Sequence, residues 1–155
     1  MEVVPQLSAF LENRAGVLAA LTADLARHGI GIRALTMANL VDHAVVRLVV
    51  TDTRRALHLL GERGVLAVTS DLIAVPVADE TGAIADLARR LGRAGVNIEY
   101  AYSGPGPDGG AVVYLHVRDV RKARAALRGA SRPRARRGAA RGRRSTRATP
   151  SRAGR

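Results

Sequence analysis

Along residues 12–32, ENRAGVLAALTADLARHGIGI, large aliphatic side chains recur at Leu18, Leu21 and Leu25. That i, i+3, i+7 spacing is one stripe of an α-helix. Gly29 follows where a helix needs a left-handed C-terminal cap, and Ile30 and Ile32 then open an apolar segment. The same pattern returns 66 residues later in DETGAIADLARRLGRAGVNI, with Gly16 on Gly82, Leu18 on Ile84, Leu21 on Leu87, Leu25 on Leu91, Gly29 on Gly95 and Ile32 on Ile98. Each copy predicts a loop, an amphipathic helix, a glycine stop and a strand.

The remaining apolar runs extend both copies. Residues 3–11 predict a strand, with Pro5 at an edge or at its start. Asn13 reads locally as the N-cap of a helix that ends near His28. Residues 30–40 and 44–51 predict a hairpin, and Thr53 is expected to cap a second helix, 54–63, whose apolar positions are Ala56, Leu57 and Leu60. Gly64 stops it, residues 65–68 make a fourth strand, and the unit closes as βαββαβ.

Almost no linker follows. Residues 72–77 already open the second unit, with a helix over 82–94, a hairpin over 96–103 and 111–117, and a helix over 120–128 capped by Asp119. Where the first copy has GVLAVTSDLIAV, the second has SRPRARRGAARG, which offers no strand. The expected organisation is an α+β chain with a first unit at 1–70, a second at 71–128 lacking its fourth strand, and a disordered Arg-rich tail at 129–155. A lone unit of about 65 residues buries only about 60% of its unfolded surface, so the two units are expected to pack together.

Charge changes the picture only after it is divided. The net charge is +12, but residues 1–128 carry 15 Lys and Arg against 13 Asp and Glu, whereas 129–155 carry 10 Arg and no acid. The folded part is nearly neutral. Aromatic residues are 3% of the chain, which argues against base-stacking platforms. With no cysteine, disulfides, thiolate metal sites and cysteine nucleophiles are excluded. No apolar run approaches the roughly 18 residues of a membrane helix and no signal-like leader opens the chain, so the expectation is a cytoplasmic protein with no membrane partner.

The doubled ENRAGVLAALTADLARHGIGI and DETGAIADLARRLGRAGVNIEYAY segments resemble the ACT domain family, over about residues 5–128. The resemblance implies two ferredoxin-like βαββαβ units packed as a pseudo-dimer, antiparallel sheets with helices on one face. It also implies a sensor that binds a small molecule, most often an amino acid, where two units meet. In that family the loop after the first strand of one unit faces the start of the second strand of the other, and asparagines in both places hold the ligand. Carried over, the loop is Asn13, Arg14, Ala15 and Gly16, and the strand start is Asn97 and Ile98. The reciprocal pair is Asp79, beside Gly82, with Gly31, and keeps neither asparagine. One competent site and one degenerate site are therefore expected.

Chemistry agrees with those residue types. An amide side chain offers both donor and acceptor to a zwitterion without burying a net charge. Backbone N–H groups at a helix N-terminus suit a carboxylate. Read locally, however, Asn13 is equally an N-cap and Asn97 a polar residue at a strand start.

Other signals carry less. GPGPDG at 104–109 satisfies GxGxxG literally, but a strand follows rather than a helix, and Pro105 and Pro107 remove two donors. It predicts a hairpin loop. His28, His43, His58 and His116 have no ligand-like spacing, so no metal, cofactor or catalytic residue is expected. The function expected is a non-enzymatic amino-acid sensor acting by linkage, with a homodimer or a regulatory protein as further partner. Its rivals are a nucleic-acid-associated regulator using the basic tail, and an oligomerisation module without ligand. Two packings are open: side by side through the second strands, or exchange of a strand between the halves, since residues 65–77 leave scarcely a linker.

Overall fold

The computed structural model describes residues 1–40, 42–78 and 80–128. The tail expected at 129–155 and Asp79 lie outside the described residues. The elements are β1 (Glu2–Glu12), α1 (Val17–Arg27), β2 (Ile32–Asn39), β3 (His43–Val50), α2 (Thr53–Glu62), β4 (Ala67–Val77), α3 (Ala83–Arg93), β5 (Ile98–Pro105), β6 (Ala111–Val117) and α4 (Val120–Leu127). All six strands form one antiparallel sheet in the order β2-β3-β1-β4-β6-β5.

That order contains one ferredoxin-like unit, β2-β3-β1-β4, fused to a second that begins at β4. The strands expected at 65–68 and 72–77 are a single strand, so the boundary expected at residue 70 falls inside it. Its central residues, Thr69 to Asp71, are polar and read as a break, yet each has a partner in β1. Pro5 faces Asp71, its own counterpart at the 66-residue offset, so a pseudo-twofold axis passes between them. The halves thus meet through their first strands rather than their second.

The axis explains how the second unit manages without a fourth strand of its own among the described residues. Glu2, Val3 and Val4 pair with Ala74, Ile73 and Leu72, which is the edge of β4 that a fourth strand would take. Met1 packs on the second core beside them. Each half therefore lends the other a strand segment. Pro5 is tolerated inside β1 because β3 joins only from Leu7 onward, leaving one edge of β1 free there.

All four helices cover one face. Leu21 and Leu25 of α1 and Ala56, Leu59 and Leu60 of α2 pack on Leu7, Ala9, Val46 and Leu48. Leu87 and Leu91 of α3 and Ala123 and Leu127 of α4 pack on Ile73, Val75, Val113 and Leu115. The opposite face is concave, and Ala34, Val49, Leu72, Ala74 and Tyr114 fill its closed end. There the outer strands approach: a Cβ on Gly104 would lie 2.5 Å from the Arg33 carbonyl oxygen, so only glycine lets β5 come this near β2.

Asp52 and Asp119 cap α2 and α4, each accepting from the backbone N–H three residues on, at 2.9 and 2.8 Å. Asp119 was expected. Thr53 is instead the first helical residue, one position after the cap.

Candidate functional site

After β1 the chain makes a compact turn over residues 13–16. The Asn13 N–H donates to the Asp42 carbonyl at 3.2 Å and the Arg14 N–H to the Glu12 carbonyl at 3.0 Å. Gly16, at φ 87°, is the N-cap of α1, with no side-chain hydrogen bond capping the helix. The expected N-cap role of Asn13 is therefore corrected, because the turn spends three residues between Asn13 and the helix. Its amide is exposed and makes no side-chain hydrogen bond among the described residues. The Arg14 guanidinium meets the Glu12 carboxylate at 2.5 Å and holds its pKa below the usual carboxylate value.

Under this turn lies a cavity of about 190 Å³. Asn13, Arg14, Ala15 and Gly16 form its rim, and Leu11, Leu18, Met37 and Ala44 its apolar wall. Leu18, on the helix stripe read from the sequence, faces this space as well as the core. Gly16 and Val17, where α1 begins, line it too, and no side chain caps the helix there.

The second copy repeats the backbone but not the chemistry. Gly82, at φ 94°, caps α3 in the same way. Asp86, however, stands in the first turn of α3, held by Arg89 at 2.9 Å and Arg90 at 2.8 Å, whereas α1 has no acid in its first turn. Asp79, the counterpart of Asn13, is outside the described residues.

Asn97 is exposed between buried Val96 and half-buried Ile98, just before β5. Its counterpart Gly31 donates its N–H to Thr51 Oγ1 at 2.9 Å, and a Cβ there would meet Thr51 Cγ2 at 3.1 Å. Across the sheet Ala101 is level with Leu115, Ile73 and Val3, which puts Asn97 near the level of Pro5 and Gln6, whereas Asn13 lies beyond the far end of β1; the structure does not bring the two asparagines of one chain together. Asn97 and Ile98 are not among the residues lining the cavity at Asn13.

Two features escaped the sequence reading. On the concave face the fully buried Gln6 amide donates from Nε2 to Tyr100 Oη at 2.7 Å and Ser70 Oγ at 3.0 Å, and its Oε1 accepts from Tyr102 Oη at 2.8 Å. The Arg47 guanidinium lies 4.4 Å above the Tyr100 ring, which also stacks on His116 at 4.6 Å. Burial pushes the Tyr102 hydroxyl pKa upward, with its tyrosine neighbours adding to the shift. The one signal for this cluster was the pair Gln6 and Ser8 on one side of an otherwise apolar strand. On the helical face, an open groove of about 550 Å³ runs over the Pro5–Asp71 axis beside α2.

Among the described residues no group of His, Asp and Glu is arranged to hold a metal ion, and no helix is long and apolar enough to cross a membrane. No curated protein sequence matches the chain. A crystal structure of a Bacteroides thetaiotaomicron protein is 31% identical, covering 81% of this chain and 87% of its own, with a TM-score of 0.75. The ligand-free regulatory subunit of aspartate kinase from Thermus thermophilus is 17% identical, covering 83% and 94%, with a TM-score of 0.60. The regulatory subunit from Thermus flavus is 18% identical, covering 84% and 95%, with a TM-score of 0.55. At those identities the two Thermus structures speak for the fold alone. The family model described as an ACT domain pair matches residues 1–127, and the chain belongs to that family.

Proposed function

We propose that this chain is a non-enzymatic regulatory protein that binds one amino acid where two ACT-like units meet, at the loop of residues 13–16, with Asn13 and, from the second unit of another copy of the chain, Asn97 holding the ligand's charged ends. The observation that carries the reading is the uncapped N-terminus of α1 above the cavity rimmed by residues 13–16. Because Gly16 takes the cap position, the Asn13 amide is free for a ligand rather than committed to the helix. A ligand carboxylate would meet α1's first-turn N–H groups and the positive end of the helix dipole. Its side chain would rest on Leu11, Leu18 and Met37, and a cavity of about 190 Å³ suits a molecule of amino-acid size.

The second copy is the weaker site on the same physics. Asp86 already compensates the positive end of α3, and a carboxylate arriving there meets a like charge. Asp79 in place of asparagine adds a second acid to that loop. Gly31 supplies no side chain, and its surroundings are filled by Thr51. The relatives named as aspartate kinase regulatory subunits fit a role in relaying amino-acid concentration to a partner protein.

Titration calorimetry tests this. One amino acid is expected to bind with a stoichiometry of one per chain, and Asn13→Ala and Asn97→Ala are each expected to weaken it about tenfold or more, the effect of about 1.4 kcal/mol. A stoichiometry of two, or unchanged affinity in both variants, would count against the site.

A further inference from the structure

The groove over the Pro5–Asp71 axis has a chemistry of its own. Arg54, in the first turn of α2, and Asp71, on β4, both line it. Neither joins an ion pair among the described residues. Thr53 and Thr69 add hydroxyls, and Leu57 and Pro5 an apolar surface. The N-terminus of α2 is already capped by Asp52, so recognition here rests on side chains rather than on the helix end.

Opposite charges in one open groove select against simple ions. An anion drawn to Arg54 meets Asp71, and a cation drawn to Asp71 meets Arg54. A ligand carrying both charges satisfies both. The volume, about 550 Å³, lies in the range of about 300–1,000 Å³ typical of sites for molecules larger than a single amino acid.

We infer that this groove binds a short zwitterionic peptide, its C-terminal carboxylate on Arg54, its N-terminal ammonium on Asp71 and an apolar side chain on Leu57 and Pro5. None of these residues lines the cavity at Asn13, so the two sites are separate. Binding in such an open place is weak. For a ligand of about 14 non-hydrogen atoms a Kd of about 1 mM is expected.

The probe is L-alanyl-L-leucine, titrated into the full chain labelled with nitrogen-15 and followed by amide chemical shifts. Shifts are expected around Arg54, Leu57 and Asp71, and both the N-acetylated and the C-amidated dipeptide should bind at least about fivefold more weakly. Arg54→Glu and Asp71→Lys, both at exposed positions, should each abolish measurable binding, and the double variant should restore it with the peptide reversed. A merely structural effect would not be rescued. The inference is overturned if either blocked dipeptide binds as well as the free one. It is equally overturned if the single variants bind normally, if the double variant stays inactive, or if the shifts gather at Asn13. The amino-acid site is read separately: Asn13→Ala should leave dipeptide binding unchanged, and Arg54→Glu should leave amino-acid binding unchanged.

Discussion

A glutamine amide with no exposed surface must find partners for its donors and its acceptor, and Gln6 takes them from residues 64 to 96 positions away. It ties β1 to β4 and to β5 across the concave face. Gln6→Ala would strand two tyrosine hydroxyls and open a void, at a cost of about 2–4 kcal/mol. Urea unfolding measures this, and a loss below about 0.5 kcal/mol, the size of a surface substitution, would contradict the role. Tyr102 adds a pH dependence. Its folded pKa is raised above the ordinary tyrosine value of 10.0, chiefly by burial. The sign follows: the contribution is complete below pH 10, where the unfolded tyrosine is still neutral, and is lost as pH rises through the higher folded value. Stability should therefore fall above pH 10, and less steeply in Tyr102→Phe, when unfolding is compared at pH 8 and pH 11. Of these residues the sequence revealed only a polar pair within β1, since the partners become neighbours through the curl of the sheet. Asn13 shows the opposite case. Its local reading as an N-cap was reasonable chemistry, but the left-handed Gly16 three residues on took that place.

At the scale of elements, the glycine stops, the helix stripes and the Asp119 cap were legible because each depends on neighbours within one turn. The continuity of β4 was not. Thr69, Ser70 and Asp71 are polar because the axis exposes Thr69 and Asp71 to the groove on one face and turns Ser70 toward Gln6 on the other. Polar residues between apolar runs then look like a turn. The same geometry gives the N-terminus an unexpected duty, since residues 2–4 fill the edge of β4 that belongs to the second unit. Deleting residues 1–4 should loosen the distant half of the chain rather than the near one. Hydrogen exchange is expected to accelerate by about tenfold or more in β6 and α4, with β2 and β3 little changed, as for a local opening. Faster exchange mainly in β2 and β3 would contradict the exchanged arrangement.

Across the whole molecule, the proposed function makes the two halves complementary. The first has the open loop and helix end but Gly31 where a side chain is needed, and the second has Asn97 but an acid-compensated helix. The family and the α+β fold were readable from the doubled helix-glycine-strand pattern. The packing through first strands was not, because the equality of β1 and β4, 11 residues each, emerges only when they pair. The proposed amino-acid site lies within residues 1–128, so removing residues 129–155 should leave ligand affinity unchanged within about twofold. The most direct measurement is a thermal-unfolding screen of the chain against the twenty amino acids. At about 100 times its Kd, a ligand adds about 2.7 kcal/mol, which raises the midpoint of a protein this size by roughly 5–10 °C. One amino acid, or a small group of related ones, is expected to do so in the wild-type chain and to lose most of the effect in Asn13→Ala and Asn97→Ala; no shift with any of the twenty would contradict the sensing role.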